Sequence, residues 1–410
     1  MPSSLQLVAR TGYPDFLDLP WERPLAEWER TLTVEVMRGV HRHVVRFVEA
    51  EGLLFALKEL PRHLAEREYR LLGHLESEAV PVVDVVGYVH DRGEDLDAVL
   101  ITRHLEFSVP YRFLFSRRGS DELRPQLLNA LAGLLTRLHL AGFFWGDCSL
   151  SNALFRRDAG ALTAYLVDAE TAEVHPTLTD GQRSHDLQIA ETNVAGELFD
   201  VMAELGIAPE ELDPVETALE LRRRYEDLWS ELTAEDVFSP DERHRVNDRL
   251  ARLNDLGFDV NEIELVATDG GFRLHLDPHV VEAGHHQRHL FALTGLRAQE
   301  NQARRMLNDL HTFKAGLEAE AGRSLPDSAA AFQWRSSVFE PVIAVIPPEL
   351  FDRREPAEVF HEVLQHRWFM SERAGRDVGL LQATDAYVED VLRFATLERA
   401  VIRPASEPST

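Results

Sequence analysis

At 410 residues the chain is long enough for two or three domains, and its 44% hydrophobic and 28% charged content is that of an ordinary water-soluble protein. A formal net charge of −27 speaks against nonspecific binding to nucleic acid or anionic membrane, whose phosphates need a basic surface. No apolar run approaches the ~18 residues of a membrane span, the start "MPSSLQLVARTGYPDF" lacks a signal-peptide pattern, and a lone cysteine, Cys148, fits a reducing compartment, so a cytoplasmic location is expected.

Residues 1–25 read as an irregular lead-in. From Thr31 to Leu60 the pattern is strand-like. "TLTVEVMRG", "HVVRFVEAE" and "LLFALKEL" are rich in β-branched and aromatic residues and are broken at Gly39 and Gly52. Helical spacing follows in "HLAEREYRLLGHL" (63–75), just after Pro61. "VPVVDVVGYVH" and "LDAVLITRHL" are two further strands around the turn "DRGED". Residues 26–104 thus predict a five-stranded antiparallel sheet with one helix inserted after its third strand.

The pattern then turns helical. "DELRPQLLNALAGLLTRLHLAG" (121–142) places Leu127, Leu128, Leu131, Leu134, Leu135 and Leu138 on one apolar face. The loop "FFWGDCSLSN" comes next. "NALFRR" and "LTAYLVDAE" form a short hairpin about "DAG", and residues 185–205 form another helix. "GIAPEELDP" (206–214) marks a boundary, which closes a segment 105–210. Beyond it, residues 215–400 predict a mostly helical domain, with helices at 215–233 and 240–256, a hairpin in "NEIELVATDGGFRLHLDP", and three or four more helices before a tail at 401–410.

A sheet with one helix, joined by a short connection to a helical part, is a two-lobed layout with a cleft for a ligand. Phosphoryl transfer is the chemistry to test there. It needs a cation on the phosphates, oxygen ligands for Mg²⁺ and a carboxylate near the attacking hydroxyl. Only Lys58 and Lys314 are lysines in a chain that otherwise uses arginine, and Lys58 ends the third strand, where it can aim a compact charge across the cleft. Glu68 of the inserted helix can hold it by ion pairing, with Glu66 the rival on the same helix. Asp147 is a carboxylate in a loop. Asn152 and Asp168 offer hard oxygens suited to Mg²⁺ from the two ends of the short hairpin, and Glu170 is either a second metal ligand or a loop charge.

These motifs resemble the protein-kinase-like superfamily. "FALKEL" is similar to the V-A-I-K strand, "EYRLL" from Glu68 to the helix carrying the pairing glutamate, "GDCSLSN" to the D-x-x-x-x-N catalytic loop, and "VDAET" stands where D-F-G would be. Asp186 resembles the aspartate that braces the catalytic loop. The resemblance spans about residues 30–205. It implies a bilobal α+β fold in which ATP and Mg²⁺ bind, Lys58 contacts the α/β-phosphates, Glu68 positions Lys58, and Asp147 orients the acceptor hydroxyl and takes its proton. Asn152 and Asp168 would hold the metal, and Arg103, His104, Leu105 and Glu106 would form the hinge that reads adenine. Gly39 marks the turn over the phosphates.

The departures are specific. There is no G-x-G-x-x-G; the turn is "MRGVHRHVVRF", where His41, Arg42 and His43 either cover phosphates or are plain turn residues. Trp145 replaces the histidine of H-R-D, Ser149 stands where a lysine would follow Asp147, and "DAET" lacks Phe-Gly. Gly146–Asp147, with Glu170 two residues after Asp168, resembles the small-molecule branch, such as aminoglycoside and choline kinases. The whole arrangement resembles a bacterial lipopolysaccharide-kinase-like family with a C-terminal domain of unknown function. It implies a hydroxyl-bearing small molecule, sugar or lipid-saccharide as acceptor; a protein partner through the C-terminal domain goes with a signalling role. The alternative is a catalytically inactive pseudokinase acting as a nucleotide-binding sensor or as a scaffold.

Other clusters read as structural. Cys148 is a buried filler. His285, His286 and His289 lack a convergent further ligand. In "FHEVLQHRW", His361 and His366 lie about 140° apart on a helix and cannot share a metal. Phe332, Trp334, Phe339, Phe360, Trp368 and Phe369 read as core.

Overall fold

The strand ending in Lys58 shows how the first part of the chain is organised. Side chains alternate along it, so Phe55 and Leu57 enter an apolar core while Ala56 and Lys58 face a cavity. In this computed structural model, which describes residues 5–34, 43–115, 120–233, 236–238, 263–268, 271–276 and 284–399, the strand is β3 (Leu53–Leu60) of a five-stranded antiparallel sheet. The other strands are β1 (Gln6–Ala9), β2 (Val44–Ala50), β4 (Val85–His90) and β5 (Ala98–Arg103), in the order β1-β4-β5-β3-β2. Helix α1 (Arg62–Ser77) follows β3.

The lead-in departs from expectation. It is not irregular throughout: β1 pairs with β4 in register Gln6↔His90 to Ala9↔Gly87, and Phe16, Trp21, Leu25 and Trp28 bury against the sheet. Phe16 meets Phe55 edge-on at 5.0 Å. The segment is held by single anchors rather than by a repeat. The buried Arg92 guanidinium donates to the Trp21 carbonyl (2.9 Å) and to Glu59 (2.7 Å). Of the strand expected at Thr31–Gly39, Val34 bridges Phe47; Gly39, with His41 and Arg42, lies outside the described residues.

The helical lobe follows through β6 (Ser108–Val109), α2 (Tyr111–Phe115) and α3 (Ser120–Leu140). The six leucines expected on the α3 apolar face are all buried. Strand β7 (Phe143–Phe144) leads into the Asp147 loop, and the hairpin β8 (Ala153–Asp158) and β9 (Ala161–Leu166) leads out of it. After β10 (Glu173–Val174), α4 (Asp180–Leu205) opens with a capping box between Thr179 and Gln182 and ends at Gly206 in the left-handed region. Helix α5 (Pro214–Thr233) closes this part. The antiparallel sheet, its single helix and the helical lobe make the protein-kinase-like α+β arrangement expected from the sequence.

Two compact units divide the chain. The first comprises Met1–Phe155, Thr163–Glu231 and Ala400–Thr410; the second comprises Arg156–Leu162 and Leu232–Arg399. The second unit contains strands β11 (Asp236–Phe238), β12 (Ile263–Thr268) and β13 (Gly271–Leu276) in the order β11-β13-β12. Strands β12 and β13 are the hairpin expected there, while the helix expected at 240–256 lies outside the described residues.

Among the described residues, six helices follow rather than three or four: α6 (His285–Thr294), α7 (Glu300–Ala321), α8 (Asp327–Trp334), α9 (Glu340–Val345), α10 (Pro356–Ala374) and α11 (Leu380–Asp390). Two are short and joined by a π-turn at Arg335–Phe339, which blurs their periodicity. Their core holds Trp334, Phe339 and Phe360 as expected. Phe332, Trp368 and Phe369 are instead exposed at 75%, 59% and 48%. An aromatic residue in a helical sequence does not declare which side of the helix it occupies unless its neighbours repeat in phase. No described helix is long and apolar enough to cross a membrane.

Candidate active site

The inserted helix buries Ala65, Glu68, Leu72 and Leu75 along one face. Glu68 therefore sits inside an apolar stripe, with none of its surface exposed. A buried carboxylate needs a partner, and Lys58 Nζ supplies it at 2.9 Å. The same ammonium reaches Asp168 Oδ2 at 2.6 Å and Glu170 Oε2 at 3.7 Å. Glu66, the rival, pairs with Arg62 instead. Burial, with the Asp168 charge adding to it, pushes Glu68 up to about 7 against the opposing pull of Lys58. Burial works to lower the Lys58 ammonium, but Glu68 and Asp168 outweigh it and hold it above its ordinary value.

The Asp147 loop is shaped from below by α4. Residues 193 and 197 each lie within ~20° of a whole number of helical turns from residue 186, so the three share one face. Their side chains take the loop in order. Asp186, fully buried, accepts from Trp145 N (2.7 Å) and Gly146 N (2.8 Å). Asn193 Nδ2 donates to Asp147 Oδ1 (3.1 Å) and to the Cys148 carbonyl (3.2 Å). Glu197 accepts from Leu150 N (2.7 Å) and Ser151 N (2.9 Å). His139 Nε2 lies 3.0 Å from Asp186, and its Nδ1 lies 2.6 Å from the Tyr225 hydroxyl. Burial holds this imidazole below its usual range although Asp186 pulls the other way. Gly146 has φ +75°, and a Cβ there would meet the Thr171 carbonyl and the Phe144 ring at 3.2 Å. Glycine is needed at this bend.

Asn152 closes the loop. Its Nδ2 donates to the Asp147 carbonyl (3.0 Å) and to Asp147 Oδ2 (3.1 Å), and its N–H takes the Ser149 hydroxyl (3.2 Å). Val167 N donates to the Asn152 carbonyl at 3.1 Å, which sets Asp168 beside it. Trp145, where a histidine was the comparison, is wholly buried, and its indole donates to the Asp168 carbonyl at 3.3 Å. Cys148 is buried, and burial raises its thiol well above the usual range, which removes it as a nucleophile.

The Lys58 cluster and the Asp147–Asn152 pair open into a cavity of about 580 Å³. Lys58, Glu68, Asp147, Asn152, Asp168 and Glu170 line it, together with Arg103, His104 and Leu105 of the segment expected to form a hinge; Glu106 does not line it. Val45, Ala56, Val83, Leu100, Leu154 and Val167 add an apolar part suited to a flat aromatic base. His104 N–H bonds the Leu54 carbonyl (2.8 Å), its ring stands edge-on to Phe47, and burial holds it down at about 4, uncharged. His43 Nε2 lies 2.8 Å from Glu170 Oε2 at the other side.

Among the described residues no group of three or more His, Cys, Asp and Glu is arranged as a metal site. The set Asp168, Glu170 and Asn152 still suits Mg²⁺ in its chemistry, because that ion takes one or two carboxylates and completes its shell with water and phosphate oxygens. Asn152 spends its amide nitrogen on Asp147, so its amide oxygen is the group it can offer. In the second unit His286 lies 2.7 Å from Glu300, Arg305 lies 3.3 Å from His361, and the His366 ring packs against Tyr387.

Asn193, Glu197 and His139 are the site residues that sequence reasoning missed. The available signal was the polar stripe 186–193–197 in an otherwise apolar helix face.

Residues 33–195 match the family model described as Lipopolysaccharide kinase (Kdo/WaaP) family. Residues 227–392 match DUF4032, a domain of unknown function. A solved structure titled "WaaP in complex with acyl carrier protein" is 20% identical, over 48% of this chain and 90% of that one, with a TM-score of 0.32. Comparison with curated proteins gives no match. Over residues 33–195 the chain is thus similar to the lipopolysaccharide kinase (Kdo/WaaP) family, and over residues 227–392 it is similar to DUF4032.

Proposed function

We propose that the protein is an ATP- and Mg²⁺-dependent phosphotransferase acting on a hydroxyl of a small molecule, sugar or lipid-saccharide, in the cytoplasm. The observation that carries this is the convergence on one cavity of Lys58, bridging Glu68 and Asp168, with the Asp147–Asn152 pair. A nucleotide would place its base against the apolar part by the hinge and its phosphates toward Lys58. The ammonium then meets the α/β-phosphate charge, and Glu68 keeps it aimed. Asp168 and Asn152 would hold Mg²⁺, with Glu170 beside them; the ion offsets the phosphate charge that builds in the transition state. Asp147, with both oxygens already fixed by amide donors, accepts the proton of an acceptor hydroxyl. The small-molecule acceptor follows from the Gly-Asp loop and from the family similarity of residues 33–195.

The test is transfer of label from the γ-phosphate of ATP to a panel of sugars and lipid-saccharides, for wild type and Asp147→Asn. The reading expects Mg²⁺-dependent transfer that the variant loses by about 10²–10⁴-fold while it still binds nucleotide. Equal turnover in both would overturn the role of Asp147. The nucleotide-sensor reading is favoured by one observation, the missing G-x-G-x-x-G; it predicts Mg²⁺-dependent binding with no turnover at all.

A further inference from the structure

The carboxylate of Asp147 is gripped at both oxygens. Asn152 Nδ2 holds Oδ2 at 3.1 Å from within the loop, and Asn193 Nδ2 holds Oδ1 at 3.1 Å from α4. The loop itself supplies no cation here. Ser149 stands two residues after Asp147, and its hydroxyl is taken by Asn152 N–H at 3.2 Å. Asn193 also ties the Cys148 carbonyl at 3.2 Å, so one amide fixes both the side chain and the backbone that carries it. Its anchor is rigid: Asp186, two turns earlier on the same helix face, holds Trp145 N and Gly146 N, and Glu197, one turn later, holds Leu150 N and Ser151 N.

We propose that Asn193 is the positioning residue for Asp147. Its neutral amide takes the place that a lysine in the loop would otherwise fill. An amide can orient a carboxylate through directed N–H donors, here from Asn193 to Oδ1 and from Asn152 to Oδ2. The assignment rests on Asp147 acting as base, as set out under Proposed function.

The experiment is steady-state ATP hydrolysis with Mg²⁺, water serving as acceptor, for wild type, Asn193→Ala, Asn193→Asp and Asp147→Asn, with the thermal shift on ATP–Mg²⁺ measured in parallel. Loss of a hydrogen bond to a charged group should lower kcat about tenfold or more in Asn193→Ala, with the KM for ATP and the thermal shift unchanged. Asn193→Asp preserves the shape but sets oxygen against oxygen, so it should fall further than Asn193→Ala. A packing role predicts the reverse order, and that result would overturn the proposal. So would wild-type kcat in Asn193→Ala. Should Asn193→Asp fail to fold, the kcat-against-KM split in Asn193→Ala decides alone. If Asp147→Asn is inactive while both Asn193 variants are normal, only the positioning role fails. If the wild type does not use water as acceptor, the same four proteins are compared by label transfer to the sugar and lipid-saccharide panel; if Asp147→Asn then matches the wild-type rate, or the wild type binds nucleotide without transfer to any acceptor, the underlying reading fails and takes this proposal with it.

Discussion

Lys58 meets three carboxylates, of which Glu68 is completely buried and Asp168 and Glu170 are about a quarter exposed. Removing the ammonium leaves Glu68 in an apolar stripe with no counter-ion. Breaking such a buried pair costs about 3–5 kcal/mol. Urea unfolding of Lys58→Met should show a loss of that order, and Lys58→Met/Glu68→Gln should recover at least half of it; an unchanged midpoint in the single variant would contradict the geometry. Gly146→Ala makes a second case. At φ +75° a β-carbon brings left-handed strain of about 1–2 kcal/mol as well as the contacts at 3.2 Å, so the variant should unfold earlier and lose nucleotide turnover together. Lys58 was legible in the sequence because the chain spends almost no other lysine. Asn193 was not. Its partner Asp147 lies 46 residues away, and the polar stripe 186–193–197 marks a face of the helix without naming what that face reaches.

At the scale of elements, α4 is a ruler laid under the loop, and Asp186 is its fixed end. Asp186→Ala would strand two backbone N–H groups in a buried place, each costing about 1–3 kcal/mol. Hydrogen exchange at Trp145 and Gly146 should accelerate well beyond that at Leu150 and Ser151, which Glu197 holds separately. Equal acceleration along the loop would show that the three anchors act as one.

In the second unit, Asp158 accepts from Gln302 N (2.8 Å) and Asn301 N (3.1 Å), capping the start of α7. Burial pushes its carboxyl up to about 7, against the pull of those two N–H groups and helped by Glu358 and Glu355. A folded pKa above the ordinary one means that the folded state holds the extra proton. The stability gained is complete below about 4 and is lost as pH rises through about 7. The gap in urea midpoint between pH 5 and pH 8 should therefore narrow in Asp158→Asn, whatever that variant's overall offset; an undiminished gap would assign the titration to other groups. Periodicity made α3 and the strands β2 to β5 readable. The lead-in was unreadable because Phe16, Trp21 and Trp28 bury at irregular spacing, fixed by a distant arginine rather than by a repeat.

The whole molecule divides into two units, and family similarity divides along the chain as well, at 33–195 and 227–392. The sequence suggests a sheet lobe at 26–104, a helical lobe at 105–210 and a separate domain at 215–400; in the structure β1 joins the sheet from before residue 26, and the first unit runs through most of α5 to Glu231. The architecture was legible because a sheet, one helix and then a leucine-faced helix leave few ways to bury their apolar faces. The convergence of the site was legible from residue types at the ends of those elements. The exposed aromatics at Phe332, Trp368 and Phe369 were not, since exposure depends on neighbours that the local pattern does not name.

The central claim is that the cavity binds nucleotide through a metal held at Asp168. Thermal unfolding of wild type and Asp168→Asn, each with ATP alone and with ATP plus Mg²⁺, tests it most directly, because a ligand at ~100 times its Kd stabilises by about 2.7 kcal/mol. A Mg²⁺-dependent rise in Tm in the wild type, absent in Asp168→Asn, is the predicted result. No rise in a well-folded wild type under either condition would contradict both the kinase and the nucleotide-sensor readings.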